Sequence, residues 1–477
     1  MEKENFFGVD FGTTNTALVH FSKYHGKMFI GDQNNTERPL PSVVAINIKS
    51  GKITVGKEVK DNLSSYETDD CKVVFSVKTI LNQDKITDKN GQPIVINGKT
   101  LTPIDIASEI FKNLKETTTK KNLSMDEIVL SVPINFSASK KNCLITAAKN
   151  AGIKVTKFVS EPTAAFISHY TELQAFKNII VFDWGGGTLD ISALNLENGS
   201  IREVYTANLY KAGDDIDKAF ARNVYEKQIR KYGLSLIPIE KLDSREYDDL
   251  LTKTETAKIE LSRKDTVKDI VQLQGAPKIV EFSYNDLKLS AEPFIDTAID
   301  LLTHVITKAF KNELPSCILC VGGSSKLRLL QEKLKKLFDA RLYFPENPEW
   351  DIADGACVID ASPMEKNIYT LANDIKLQLS DGNTITLLPD GQPLPCKPVT
   401  VNLSTIDCSE KANFIITCKK DEKLCATLPV LGGIDEVLVL YAYVDPCFIL
   451  HIDVENKKTN ESYNILNCES IELRYNL

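Results

Sequence analysis

The sequence predicts an α/β chain built on a duplicated strand–turn–strand unit, followed by a small all-β sandwich. Three observations carry that expectation. The stretch Ile179 to Ser192, IIVFDWGGGTLDIS, runs a buried-strand pattern into Asp183, three consecutive glycines, Thr188 and Asp190. A second copy of this grammar, FFGVDFGTT, spans Phe6 to Thr14 with Asp10, an aromatic residue, Gly12, Thr13 and Thr14. Finally, alternation of strand-like and helix-like segments stops near Ser362 and Pro363, and from Ile375 onward only short alternating strands and turns such as DGNT, PDGQP and VLGG follow.

Glycine lets a backbone approach a bulky anion, and successive N–H groups in such a turn form a concave donor nest for phosphate oxygens. The flanking carboxylates suit a hydrated divalent metal near those phosphates. A triple glycine alone could also be a plain hairpin. The second copy, about 170 residues away, changes the balance, because a repeated acid–aromatic–glycine–threonine turn suggests two halves around one ligand.

With 477 residues the chain is expected to hold two or more domains, since single cores seldom grow past ~300 residues. The net charge of −8 argues against a general nucleic-acid binder, and no apolar run approaches the roughly 20 residues of a bilayer span. The N-terminal MEKENFF is acidic and enters a strand without a secretory apolar region, so the expected compartment is cytoplasmic, with the eleven cysteines reduced. Cys317 and Cys320 form a CxxC inside the strand-like CILCV. Residues three apart on a strand point to opposite faces, so this spacing reads as buried small hydrophobes and not as a metal pair.

In order, strands are expected over Thr16 to Phe21, Phe29 to Gly31 and Ser42 to Ile48, with a turn-rich loop from Asn34 to Pro41 and a return arm from Gly51 to Val55. Lys57 to Leu63 is weakly helical. In CKVVFSVKTIL, Cys71 to Leu81, Lys78 sits among apolar residues, either snorkelling from a half-buried helix or reaching phosphates as a point charge. Thr102 followed by Pro103 starts a helix running through Thr117, and Gly152 stops a helix from Ala138. Between them Ile128 to Val132 reads as a strand; Val155 to Val159 reads as another, leading to the small-residue helix EPTAAF. Helices are expected over Asp217 to Tyr232, Ser244 to Ser262 and Ser290 to Asn312, with short strands over Thr266 to Phe282. The strand Ile318 to Val321 reaches Gly322, Gly323 and Ser324, and a helix from Lys326 is expected to follow directly, offering free N–H donors at its start. The short helix Asp351 to Ile359 closes this part.

The motifs GVDFGTTNT, VFDWGGGTLDIS, SVPINF with SEPTAAF, and CVGGSSKL together resemble the 70-kDa heat-shock chaperone family, the DnaK-like proteins. In order they match its two phosphate motifs, its connecting segment and its adenosine motif. DGQPLP, KKDEK and AYVDPCFILHIDVENKKTNES resemble the family's peptide-binding β-domain. The resemblance implies an actin-like two-lobed ATPase domain with ribonuclease-H-like cores over 1–362, a linker over 363–374 and a β-sandwich over 375–477. It implies ATP or ADP, Mg²⁺ and K⁺ as ligands. Thr13 and Thr14 with Gly185, Gly186 and Gly187 would cradle phosphates, Gly12, Asn15 and Gly213 would also bind the nucleotide, and Asp10 and Asp183 would hold Mg²⁺ through water with Glu161 nearby. Lys78 falls on the family's catalytic lysine, and Thr188 and Asp190 complete the shell. Glu255, Lys258 and Ser262, with Gly322, Gly323, Ser324 and Lys326 opposite, would hold adenosine.

The sequence departs from the family pattern in places. Ile259 and Lys326 stand where the family has adenine-stacking arginines, whose planar guanidinium stacks better. Pro133 and Lys141 fall on its interdomain relay, with lysine for arginine. IYTLANDI replaces the acidic-leucine linker, and no helical lid follows the β-domain. Leu377, Leu403, Phe414 and Ile416 are candidates either for an apolar peptide pocket or for ordinary sandwich core. The resemblance implies unfolded or nascent polypeptide as partner, with a J-domain co-chaperone and a nucleotide exchange factor, and neither nucleic acid nor membrane. The competing expectation is a nucleotide-binding co-chaperone or ribosome-associated partner with little peptide cycling. A sugar kinase or filament-forming actin relative shares the core fold but lacks such a C-terminal region.

Overall fold

The computed structural model describes residues 3–32, 38–66, 68–362, 369–419, 422–469 and 471–476. Residues 34–37 of the expected loop, 363–368 of the expected linker and 420–421 of the KKDEK motif lie outside them. The chain forms two compact units. The first holds Met1–Ile134, Cys143–Leu194 and Val204–Ala361; the second holds Ser362–Leu477 together with Asn135–Asn142 and Asn195–Glu203.

Among the sheets of the first unit, two larger ones share a plan. In one, the strand Asn5–Phe11 lies between the parallel strand Glu127–Val132 and the antiparallel strand Asn15–Ser22, with Lys154–Ser160 and Gly26–Ile30 outside them. In the other, Asn178–Trp184 lies between the parallel strand Cys317–Val321 and Leu189–Glu197, flanked by Leu342–Tyr343 and Ser200–Leu209. Both central strands are apolar on both faces, as strands covered by helices must be, and each ends in an aspartate and an aromatic residue followed by a glycine turn. Phe182, Trp184 and Ile191 of the second sheet are buried against Phe220, Ile295, Leu302 and Leu330 on three helices, Gly213–Tyr232, Tyr284–Phe310 and Arg328–Phe338. Each such side chain contributes roughly 1.5–3 kcal/mol by leaving water.

The helix Asp351–Ala361 packs on the first sheet and on the helix Glu161–Ser168. Both crossings are in backbone contact. A Cβ on Gly355 would stand 1.8 Å from the Ala164 carbonyl oxygen, and one on Gly8 would stand 2.2 Å from that of Ala353. Only hydrogen fits at either position.

Several local expectations need correction. Cys71 to Leu81 is not a half-buried helix. The strand Cys71–Phe75 ends at Ser76, whose left-handed φ of 52° turns the chain into a short 3₁₀ segment, Val77–Ile80, that buries Lys78. The long helix begins at Tyr284 and not at Ser290, because Ser283 accepts a hydrogen bond from the Asp286 N–H and caps it earlier. Gly213 and not Asp217 opens the long helix that ends at Tyr232, where Asp215 accepts from the Ala212 N–H. The GGS turn does not run straight into an α-helix. A 3₁₀ turn, Gly323–Lys326, and an extended Leu327 precede the helix Arg328–Phe338, so that helix offers no N-terminal donors at the glycines. Within the expected linker, Tyr369–Leu371 is a strand.

The second unit is β-rich. Its strands form two four-stranded sheets, one ordered Thr384–Leu388, Ile375–Gln378, Lys411–Lys419, Glu422–Pro429, the other Val399–Ser404, Val437–Val444, Leu450–Asn456, Glu461–Cys468. Alternate residues such as Leu450, Ile452 and Val454 are buried, the period-two pattern of a half-covered strand. In the same unit the strand Leu473–Asn476 lies between Tyr369–Leu371 and the segment containing Ser200, Ile201 and Arg202, with Ser200 opposite Asn476.

Candidate functional site

The first turn is shaped by close contacts that a larger residue would block. The Gly12 N–H donates to the Asp10 carbonyl at 3.1 Å, and a Cβ on Gly12 would lie 2.1 Å from the Asn15 carbonyl oxygen. Ser42 holds the turn from behind, donating its hydroxyl to the Gly12 carbonyl at 2.9 Å and its N–H to that of Thr14 at 2.8 Å. Asn15 is exposed at the start of the next strand.

The second turn faces the first. A Cβ on Gly186 would lie 2.8 Å from Thr14 Cγ2, and one on Gly187 3.3 Å from Thr13 Cγ2. Gly185 N–H closes the turn onto the Thr188 carbonyl at 3.0 Å. The chain from Gly213 supports it: Asp214 N–H donates to the Gly186 carbonyl at 2.8 Å, and Asp214 accepts from Thr14 Oγ1 at 3.4 Å. The third glycine turn arrives on the same spot. Ser324 Oγ donates to the Gly185 carbonyl at 2.8 Å, while Gly322, at φ 78°, comes so close that a Cβ would stand 2.6 Å from Asp183 Oδ1. Gly323 has open space around it.

Charge concentrates under these turns. Lys78 is buried and donates to Glu161 Oε1 at 2.7 Å, and Asp10 accepts from Ser131 Oγ at 2.8 Å. Burial, then the neighbouring Glu161, pushes the Asp10 carboxyl up to about 6, against the pull of Lys78. Burial and Glu161 likewise push Asp190 up to about 6, with Thr188 hydrogen-bonded to it. Asp183 rises well above the usual carboxylate range through burial and through Asp190, Glu161 and Asp10. Burial works against the Lys78 charge, yet Glu161 and Asp10 outweigh it and hold its ammonium above the ordinary value. Four carboxylates thus share one ammonium in a desolvated site. That imbalance is the chemistry a divalent cation fits. Among the described residues, no three His, Cys, Asp or Glu side chains converge closely enough to grip a metal ion directly.

At the expected adenosine end, Lys258 is buried on the helix Ser244–Leu261, donating to Asp217 Oδ2 at 2.7 Å and to the Gly213 carbonyl at 3.1 Å. Burial nevertheless pushes Asp217 up to about 6, because desolvation exceeds what Lys258 returns. Glu255 pairs with Lys60 at 2.8 Å, and despite burial this lysine pulls its carboxyl below the ordinary value. Ile259 is half exposed, Ser262 ends the helix, and Lys326 is engaged by Glu349 at 2.7 Å.

The peptide-pocket candidates separate. Leu377, Phe414 and Ile416 are buried, with Leu377 opposite Ile416 in one sheet, whereas Leu403 lies partly exposed in the other, opposite Leu438. Burial favours the core reading for the first three. Lys141, also buried, donates to the Cys447 carbonyl at 2.9 Å and stands 5.2 Å from the Phe448 ring centre, all within the second unit. Cys317 and Cys320 are buried among apolar residues, and burial pushes the Cys317 thiol up to about 12, as inert core thiols require.

Sequence reasoning overlooked Ser42, Ser131, Lys60, Asp214, Asp217 and Glu349. Asp214 beside Gly213, at a helix start, was the one available signal; the others act through partners distant in the chain. In comparison with known proteins, the family model described as Hsp70 protein matches residues 6–362.

Proposed function

Because this chain belongs to the Hsp70 family, we propose that it hydrolyses ATP slowly in the first unit and binds extended apolar segments of unfolded polypeptide through the β-rich unit without a helical lid. Members of the family are ATPases and chaperones that bind ATP or ADP with Mg²⁺. The observation that carries the reading is the meeting of two glycine–threonine turns over buried carboxylates and Lys78.

In this reading the N–H groups of Gly185, Gly186 and Gly187 and the hydroxyls of Thr13 and Thr14 bind phosphate oxygens. Asp10 and Asp183 would hold the hydrated Mg²⁺, with Glu161 nearby. When bound, the ion supplies the positive charge that keeps these carboxylates ionised and balances charge on the phosphates. Lys78, oriented by Glu161, places its ammonium where charge develops and aligns the attacking water. Asp190 and Thr188 complete the polar shell, which on this reading also accepts K⁺. Lys258, anchored by Asp217 and the Gly213 carbonyl, positions the nucleoside end, and Ile259 packs on the base in place of a guanidinium.

Every described element of residues 369–476 is a strand, which supports a β-rich binder, here proposed to act without a lid. Such a site exchanges peptide quickly, since a lid chiefly slows dissociation. The second reading, a nucleotide-binding co-chaperone with little peptide cycling, is favoured by the unusual linker sequence and by Lys326 being tied to Glu349. Single-turnover ATP hydrolysis, with and without an unfolded peptide and a J-domain protein, separates them. Stimulation by both additions is expected. Turnover indifferent to both favours the co-chaperone, and no turnover at all sinks the enzyme reading.

A further inference from the structure

Cys418 and Cys468 belong to different sheets of the β-rich unit, on the strands Lys411–Lys419 and Glu461–Cys468. Both are buried, at 1% and 6% exposure, and the Cys468 thiol is directed at Cys418 Sγ from 3.8 Å. Other thiols in the chain point at oxygen: Cys143 at the Leu81 carbonyl, Cys357 at that of Phe6, Cys447 at Asn142 Oδ1. Two features make the sulfur pair adjustable. Cys418 sits at the irregularity between Thr417 and Lys419, where the strand register shifts and a side chain can be re-aimed. Cys468 is the last residue of its strand, opposite Leu450. A disulfide needs about 2.05 Å between sulfurs, so closure requires about 1.8 Å, within the arc a Cβ–Sγ bond sweeps between rotamers.

We propose that Cys418 and Cys468 are a reversible disulfide site that ties the two sheets of the β-rich unit together. The oxidant is a low-molecular-weight disulfide. The Cys468 thiolate, nearer the strand end, attacks it, forming a mixed disulfide and expelling one small thiolate. The Cys418 thiolate then attacks the Cys468 sulfur, forming the bridge and expelling the second. The protein loses two protons and two electrons, and the small disulfide is reduced to two thiols. In a reducing compartment the bridge is a transient, sensing modification; in an oxidising one it is a permanent staple.

The test uses the full-length folded protein incubated with oxidised glutathione, quenched with acid, alkylated and mapped as peptides without reduction. The expected result is a Cys418–Cys468 cross-linked peptide, removed by dithiothreitol, with a rise in melting temperature of roughly 5 °C. C418S and C468S should each lose both the cross-link and the rise. Cys408 and Cys425, both exposed, provide the internal control, since solvent-facing thiols are expected to take up glutathione. Glutathione on these two with Cys418 and Cys468 alkylated only after unfolding overturns the proposal, as does a cross-link that leaves the melting temperature unchanged. Should either serine variant fail to fold, the wild-type peptide map and melting shift decide alone.

Discussion

Replacing Lys78 by alanine removes the one ammonium that, among the described residues, faces Glu161, Asp10, Asp183 and Asp190. At the 2.7 Å separation from Glu161, an effective dielectric constant near 20 gives a gross attraction of about 6 kcal/mol. Only the part that differs between bound ATP and the transition state affects the rate. Removal of one preorganised electrostatic group typically forfeits about 3–4 kcal/mol, a loss of roughly 10²–10³-fold in turnover. Stripping one partner from a buried pair also destabilises the fold, by about 3–5 kcal/mol before the carboxylates relax by taking up protons. Lys78→Ala should therefore melt well below wild type without ligand and recover most of that deficit with Mg²⁺ and ADP. Quench-flow single-turnover hydrolysis at saturating ATP measures the rate, and calorimetry measures the melt. A variant hydrolysing ATP within threefold of wild type would show that Lys78 only neutralises Glu161 and takes no part in the reaction.

Further outcomes follow from the same geometry. Gly322→Ala forces a side chain into a left-handed position against the Trp184 carbonyl and Asp183, so it should cost about 1–3 kcal/mol in stability and at least roughly tenfold in ADP affinity, read by titration calorimetry. Asp10, Asp190 and Asp217 have native pKa values near 6 against 3.8 otherwise. The folded chain therefore binds more protons between about pH 4 and 6, and its ligand-free stability falls as pH rises through that window. The ligand-free melting temperature should be higher at pH 5 than at pH 7.5, a difference that Mg²⁺–ADP should reduce; the reverse order contradicts the burial argument. Phe414→Ala should cost about 3–5 kcal/mol in urea denaturation if Phe414 is core, and little if it lines an open pocket.

The glycine turns were legible because they are local: strand, acid, glycine and threonine are adjacent, and their duplication shows without any structure. Helix and strand types were legible for the same reason, while starts failed where a single hydroxyl decided them, as Ser283 does for the helix at Tyr284. Ser131 and Ser42 could not be found, because each acquires its role only when parallel or crossing strands bring it to Asp10 or Gly12. The raised carboxylates are a product of burial, which no spacing encodes. Lys78 looked like a helix residue because VKTIL has helical spacing; the left-handed Ser76 turns it inward. The grouping of Asn195–Glu203 with the strand Leu473–Asn476 rests on a register between segments far apart in the chain.

The helix Asp351–Ala361 bears no residue of the phosphate site, yet it works as a ruler for it. It touches one element at Gly8, two residues before Asp10, and another at Ala164, three residues after Glu161. Since neither contact admits even a methyl group, the spacing of the two chain segments that carry those carboxylates is fixed from behind by backbone contact. Perturbations that tilt the helix are therefore transmitted to the two carboxylates proposed to face Mg²⁺ without touching them. Its own first turn carries two handles for such tilting, Asp351 against His169 at 3.1 Å and Asp354 against Lys27 at 2.7 Å. Loss of either contact should move the Mg²⁺ dependence of nucleotide binding before it alters nucleotide contacts themselves.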